Sequence, residues 1–371
     1  MEKTIGLYLH VPFCKSKCPY CDFYSFVPDD STMDAYTDAL CRSLLAWKDR
    51  LPETVADTLY LGGGTPLLLG AKRLQAVLTA TRQTFVTDGA EVTLEANPAD
   101  DLDEVFAAFA ACGGNRVSMG LQAGDDHTLQ ALGRRHSLHD AERAAKAVFD
   151  AGIKRLSLDM MLAVEGQTAA NVRQTAAYIH ALGAEHASAY LLKIEPGTPF
   201  ATRALSLPDE DEAADLYLTA VDALASHGFA QYEISNFAKN GAVSRHNLKY
   251  WNSEPYLGLG PAAHSFIDGK RFAYPRSIAA FMNDGEPTAE APDTTAFAEN
   301  SPEEYALLRL RLTNGLTETD FAARFGKSIP TAWRDRAARL PQSIVTVDSD
   351  GIRLTPEGFL VSNAIFAQIF P

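Results

Sequence analysis

Apolar residues recur along this chain in two alternating rhythms. Short β-branched or apolar runs, TIGLYLHV (4–11), DTLYLGG (57–63), EVTLEA (91–96), RVSMGL (116–121), RLSLDMM (155–161) and ASAYLLKI (187–194), are each followed by stretches of helical period. Those stretches cover 31–48, 71–84, 101–112, two segments up to Ala151, 168–182 and 209–227. The runs read as apolar nearly throughout, which predicts a parallel sheet covered by helices on one face and filled on the other. Six strand-then-helix units favour an α/β fold built on a partial (β/α)6 barrel over a complete eight-unit one. Punctuation agrees: Asp101 stands before LDEVFAAFAACGG, closed by Gly113 and Gly114, and Asp209 opens a pattern closed by Gly228.

A stretch rich in Pro, Thr, Asp and Glu (285–304) breaks the rhythm and reads as a linker. It divides the chain into a barrel with its extension (1–285) and a linker plus C-terminal unit (286–371). Beyond it come a helix from Glu303, a second after Thr317, a third around Ala332 to Leu340, a ribbon turning at Asp350-Gly351, and a helix from Pro356. Helices followed by a small hairpin predict a winged-helix-like helical domain. Its cations, Arg309, Arg311, Arg324, Lys327, Arg334, Arg336 and Arg339, alternate with acids and form no clean basic stripe, which favours packing on the barrel over reading DNA.

Charge sharpens the second point. Across 371 residues, 33 Lys and Arg against 47 Asp and Glu leave a net charge of −14. That field repels polyanions, so nucleic acid is not an expected partner. Apolar runs such as 189–194 fall far short of the roughly 20 residues that span a bilayer, and no small-residue cleavage site precedes the first cysteine. The expectation is a cytoplasmic protein.

Three of the five cysteines (Cys14, Cys18, Cys21, Cys41, Cys112) crowd into eight residues just after the first strand. An odd, crowded set in a long chain points to metal rather than to a disulfide framework. Three thiolates can hold three irons of a 4Fe-4S cube and leave the fourth iron open. Zinc usually takes paired short spacings, and no second pair follows, though His10 could join as a ligand or be a core residue. Cys41 and Cys112 lie in helical patterns and read as ordinary buried thiols. Gly62-Gly63-Gly64-Thr65-Pro66, after the second strand, is either a plain turn or a loop whose exposed amides and carbonyls hold a zwitterion. Polar residues also stand at strand ends: Glu95, Gln122, Asp159, and Arg134 after the fourth strand.

C-x3-C-x2-C in this position resembles the radical S-adenosylmethionine superfamily, whose open iron chelates the amino and carboxylate groups of that cofactor. The resemblance implies a 4Fe-4S cluster on Cys14, Cys18 and Cys21, with S-adenosylmethionine beside it. Residues 62–65 would then form the motif facing the methionine amine, and Tyr20 would pack beside the adenine. Glu95 would bind the ribose hydroxyls, Gln122, Arg134 and Asp159 the ribose and carboxylate, and Tyr8 would lie close to the cluster. HVPFC (10–14), KIEPGTPF (193–200), YEISNFAKNG (232–241), SRHNLKYW (244–251) and YLGLGPAAHSF (256–266) narrow the resemblance to the HemW family of heme chaperones, over essentially the whole chain. That implies heme or a porphyrin as ligand, recipient hemoproteins at the membrane surface as partners, and room for a homodimer. The alternative is the related coproporphyrinogen III dehydrogenase, but its additional cysteine is here Phe23. LAVEGQT (162–168) and GPAAH (260–264) also depart from the family pattern. Within the H-N-x-x-Y-W motif, His246 is the candidate heme ligand, with Arg245 for a propionate and Tyr250 and Trp251 as packing surfaces. A hydrogen-bonded structural role for His246 stands beside that reading, and such a role is the expectation for His264.

Overall fold

The computed structural model describes residues 3–98, 102–283, 285–288 and 297–370. Its first part runs β1 (Lys3–Val11), α1 (Asp30–Arg50), β2 (Thr54–Gly63), α2 (Gly70–Thr84), β3 (Val86–Ala96), α3 (Asp103–Ala111), β4 (Arg116–Gln122), α4 (Asp126–Ala131), α5 (Leu138–Asp150), β5 (Arg155–Leu162), α6 (Ala169–Ala181), β6 (His186–Leu191) and α7 (Glu210–Ser226). β1 to β6 are parallel, each paired with the next. Asp209 caps α7 in a reciprocal box with Glu212. The Asp101 cap falls outside the described residues, and Leu102 occupies the cap position of α3. β6 stops at Leu191, short of the run to Ile194.

Then follow β7 (Ala230–Gln231), β8 (Asn236–Ala238), α8 (Arg245–Trp251), β9 (Tyr256–Leu259), β10 (His264–Ile267), β11 (Lys270–Ala273) and α9 (Ile278–Met282). The short strands widen the sheet at both edges, in the order β11-β10-β9-β1-β2-β3-β4-β5-β6-β8-β7. β9 is parallel to β1, whereas β8 lies antiparallel to β6. The result is an α/β partial barrel that does not close.

One expectation needs correcting. The six parallel strands are not apolar on both faces. Leu7, Leu9, Leu59, Leu61, Val92, Leu94, Val117, Met119, Leu156, Leu158, Ala187 and Ala189 pack into the main core with the helices. Their alternate neighbours Tyr8, His10, Tyr60, Glu95, Arg116, Ser118, Asp159, His186 and Ser188 line a cavity inside the barrel. With a strand period of two, the sheet is apolar toward its helices and polar toward its interior.

The C-terminal unit contains α10 (Pro302–Arg309), β12 (Leu316–Thr317), α11 (Glu318–Phe325), α12 (Thr331–Ala337), β13 (Val345–Val347), β14 (Gly351–Leu354), α13 (Pro356–Leu360) and α14 (Ser362–Ile369). Its helices and three-stranded antiparallel sheet give the winged-helix-like arrangement. It has a core of its own, around Tyr305, Phe321, Trp333, Ile352, Phe366 and Phe370. Thr288 still pairs with Ala273 of the barrel extension, and Phe297 packs into the second core. Most of the unit's cations are turned to structural work: Arg309 pairs with Asp320, Arg334 with Glu318, and Arg336 donates to the Ile369 carbonyl.

Candidate functional site

The loop after β1 is closed by its own backbone. Cys14 N donates to Phe26 O at 2.9 Å and Phe26 N to Pro12 O at 2.9 Å, and Cys21 N donates to Cys18 O at 3.1 Å. Phe13, fully buried, packs edge-on against Phe26 and Tyr36 and holds the start of the loop. His10 anchors the far side, with Nδ1 against the Tyr8 hydroxyl (3.0 Å) and Nε2 against Tyr24 O (2.9 Å). Both of its nitrogens are engaged, so it is not the extra ligand that a zinc reading would use.

Cys14, Cys18 and Cys21 are free and half-buried. Burial pushes the Cys14 and Cys21 thiols up, and their neighbouring thiols add to it. Two polar contacts reach the sulfurs: Thr65 Oγ1 donates to Cys14 Sγ at 3.9 Å, and Arg134 Nη1 to Cys18 Sγ at 3.3 Å. Among the described residues no three His, Cys, Asp or Glu side chains gather as ligands of a single metal ion. Cys41 and Cys112 pack against the main core.

The glycine run is stitched to this loop rather than left exposed. Gly63 N donates to Glu95 Oε2 (3.0 Å), Gly64 N to Val11 O (2.8 Å) and Thr65 N to Phe13 O (2.6 Å). Those amides are therefore not open donors for a zwitterion. Glycine is required here by space: Gly63 has φ +109° with the His10 ring against it, and a Cβ at Gly64 would stand 2.5 Å from Phe13 O.

The barrel interior holds a cavity of about 920 Å³, a volume suited to a cofactor or drug-sized ligand. Tyr8, Tyr20, Cys21, Glu95, Gln122 and Asp159 line it, whereas Cys18, Thr65 and Arg134 line an adjoining recess of about 290 Å³. Glu95 accepts from Tyr60 Oη at 2.9 Å as well as from Gly63 N, yet burial raises its pKa to about 7. Asp159 is raised to about 6, again by burial, against a hydrogen bond from Ser188. Gln122 sits at φ +73° where β4 slips register against β5, and its Oε1 is buried without a partner. A non-glycine residue in that region marks a conformation held by its surroundings. Arg134 supplies one of them, donating to Gly120 O at 2.9 Å as well as to Cys18.

The histidines sort differently from the sequence expectation. His246 is 1% exposed, with Nδ1 on Thr58 Oγ1 (2.9 Å) and Nε2 on Tyr250 Oη (2.8 Å). Burial lowers its pKa to about 3. Neither nitrogen is left for iron, so the ligand role is corrected to the hydrogen-bonded one. Its partners, however, are β2 and its own helix rather than the C-terminal unit. Arg245 pairs with Asp57 at 3.3 Å and donates to Gly89 O, and the Trp251 ring faces Arg311 of the C-terminal unit. His186 is likewise engaged on both sides, by Ser157 and Tyr232. His264 differs: it lines the cavity, half-buried, and among the described residues neither of its ring nitrogens meets a hydrogen-bond partner.

Sequence reasoning missed Tyr60, Ser118, His186, Ser188 and Arg116, all cavity-lining. The period-two alternation of polar residues within the strands was the signal that could have found them.

Comparison with known proteins agrees with this layout. Residues 8–179 match the radical SAM superfamily. The chain is 31% identical to the heme chaperone HemW of Bacillus subtilis, over 97% of each chain. It is 36% identical to that of Mycobacterium tuberculosis, over 98% of this chain and 94% of the relative. A mouse mitochondrial radical S-adenosyl methionine domain-containing protein 1 is 33% identical over 99% of this chain and 87% of its own. Coproporphyrinogen III oxidase (HemN) from Escherichia coli shares the fold, with a TM-score of 0.82 at 18% identity over 99% of this chain and 90% of that one.

Proposed function

Because the chain belongs to the HemW family of the radical SAM superfamily, we propose that it binds heme and passes it to recipient hemoproteins, with a 4Fe-4S cluster and S-adenosylmethionine as cofactors. The observation carrying this reading is the convergence on one barrel mouth of the three-cysteine loop, the polar strand ends and a histidine with both nitrogens open.

The donor set fits the cluster. Cys14, Cys18 and Cys21 would hold it, with Thr65 and Arg134 already placed as donors to two of the sulfurs. When bound, the cluster supplies a reducible iron site with an open position. Arg134 offsets negative charge at the thiolates and fixes the bulged end of β4. Glu95, held by Tyr60 and Gly63, presents a carboxylate to ribose hydroxyls, while Gln122 and Asp159 offer further polar atoms on the same lining. Tyr20 packs against Phe200 and offers a ring face toward an adenine.

For heme, His264 replaces His246 as the iron ligand. Phe23, 66% exposed at the cavity mouth, gives a porphyrin an apolar surface, and Arg276 lies on the same lining for a propionate.

The test is anaerobic reconstitution followed by heme titration. Wild type should take up about four irons and four sulfides and bind heme stoichiometrically. The triple Cys→Ala variant should lose the cluster's visible absorption, and its retention there would overturn the ligand assignment. Efficient conversion of coproporphyrinogen III by reduced, loaded protein would overturn the chaperone reading in favour of the dehydrogenase.

A further inference from the structure

One deeply buried charge in the barrel has no role in the function proposed above. Arg116, the first residue of β4, is 2% exposed and ranks among the largest fully buried side chains of the molecule. It lines the 920 Å³ cavity, and its Nη1 is buried with no hydrogen-bond partner. A guanidinium cannot shed its charge by deprotonation. Burying it unpaired is costly, and such groups are normally found paired with an anion or hydrogen-bonded.

The surrounding groups do not fill that role. Glu95 and Asp159 are near enough to be stabilised by its charge, but Glu95 is held by Tyr60 and Gly63 and Asp159 by Ser188. Glu91, on the neighbouring strand, is taken by Arg155 and by the first amides of α8. The remaining groups that feel Arg116 are Tyr60, Tyr232, His186 and His246, which bring no counter-charge.

Depth matters as well. Arg116 and Gln122 open and close the same strand, so they are separated by six residue steps, roughly 20 Å at about 3.3 Å each. A cofactor seated among Gln122, Thr65 and the cysteine loop therefore lies toward the barrel mouth, with Arg116 below it on the same cavity lining.

We propose that Arg116 is a ligand-binding residue: it forms an anion subsite at the floor of the barrel that takes a carboxylate of the bound ligand. The inference rests on the cavity being a ligand site, as in the function proposed above. The carboxylates free for Arg116 are the propionates of a tetrapyrrole, which the depth favours, whereas that of S-adenosylmethionine is assigned to the cluster's open iron and is the competing outcome of the test.

The experiment compares Arg116→Met and Arg116→Lys with wild type, in full-length reconstituted protein. Heme and heme dimethyl ester are titrated by Soret absorption and S-adenosylmethionine by calorimetry, with circular dichroism and cluster content as checks on the fold. For a propionate, Arg116→Met should weaken heme by at least about tenfold, as expected for loss of a charge-assisted hydrogen bond. Arg116→Lys should recover part of that loss, and wild type should bind the dimethyl ester at least as weakly as Arg116→Met binds heme. For the cofactor's carboxylate, the same loss appears with S-adenosylmethionine instead. Wild-type affinity of Arg116→Met for both ligands overturns the proposal. Should both variants misfold, equal affinity of wild type for heme and its dimethyl ester overturns the propionate assignment. Failure of wild type to bind heme at all counts against the proposed function, and the cofactor arm then decides for Arg116 alone.

Discussion

At the scale of single residues, the proposed function assigns the heme iron to His264, because His246 has both ring nitrogens engaged. His246 is a clamp between Thr58 and Tyr250, stacked on Tyr60 with ring centroids 5.3 Å apart. Replacing it by Ala removes one partner from each of two buried hydroxyls and opens a void, which should cost about 2–4 kcal/mol of stability. In denaturant titrations His246→Ala should therefore unfold earlier, while whatever folded protein remains binds heme with an unchanged Soret maximum. His264→Ala should do the reverse, leaving the unfolding midpoint near wild type and shifting the Soret band. A shifted spectrum in His246→Ala, with an unshifted one in His264→Ala, would return the ligand to α8. Sequence alone could not separate the two, because what distinguishes them is which ring nitrogens the tertiary structure has already satisfied.

At the scale of elements, the cysteine loop has little freedom of its own and borrows its shape from the glycine run beside it. In Gly64→Ala the new methyl would stand 2.5 Å from the Phe13 carbonyl, so one of the two backbones must move. The expected result is a folded protein that retains less iron and sulfide after reconstitution than wild type, measured against protein content. The contact between the barrel extension and the C-terminal unit offers a second handle. Glu233 is buried, hydrogen-bonded by Ser235 N and Asn236, and bridged through its backbone to Leu312. Burial raises its pKa from 4.5 to about 7. A carboxyl raised on folding contributes stability below its unfolded pKa and loses it as pH climbs through the folded one. Glu233→Gln should therefore gain on wild type between pH 4.5 and about 7, by on the order of 3 kcal/mol. Unfolding curves across that range check it, and a constant difference would mean that the carboxyl does not titrate there. Most of the parallel strands and long helices were legible in the sequence, since burial against helices writes a strong local pattern. The short strands β7 to β11 were not, because their pairing is set by the edges of a sheet already formed. Arg116 was also hidden: an arginine opening a strand looks like a solvated strand end until the barrel encloses it.

At the scale of the whole molecule, two apolar cores meet across a polar seam. Arg271 and Glu304 pair at 3.0 Å with both side chains largely buried, Arg324 reaches Ser253 O, and Thr313 N donates to Tyr232 O. Such a seam depends on direction more than on area, and it fixes the C-terminal unit against the extension that carries His264. No described helix is long and apolar enough to cross a membrane. The alternation within β1 to β6 has a consequence for tolerance to mutation. Because the outward side chains hold the fold and the inward ones face a cavity, stability and ligand recognition are written on interleaved positions of the same strands. A saturation scan reading cellular abundance should oscillate with a period of two, dipping at Leu7, Leu9, Leu59, Leu61, Val117 and Met119, and recovering at Tyr8, Tyr60, Arg116 and Ser118. A scan reading heme occupancy per folded molecule should oscillate in antiphase, so a lineage could retune its ligand one strand position at a time without spending the stability of the barrel.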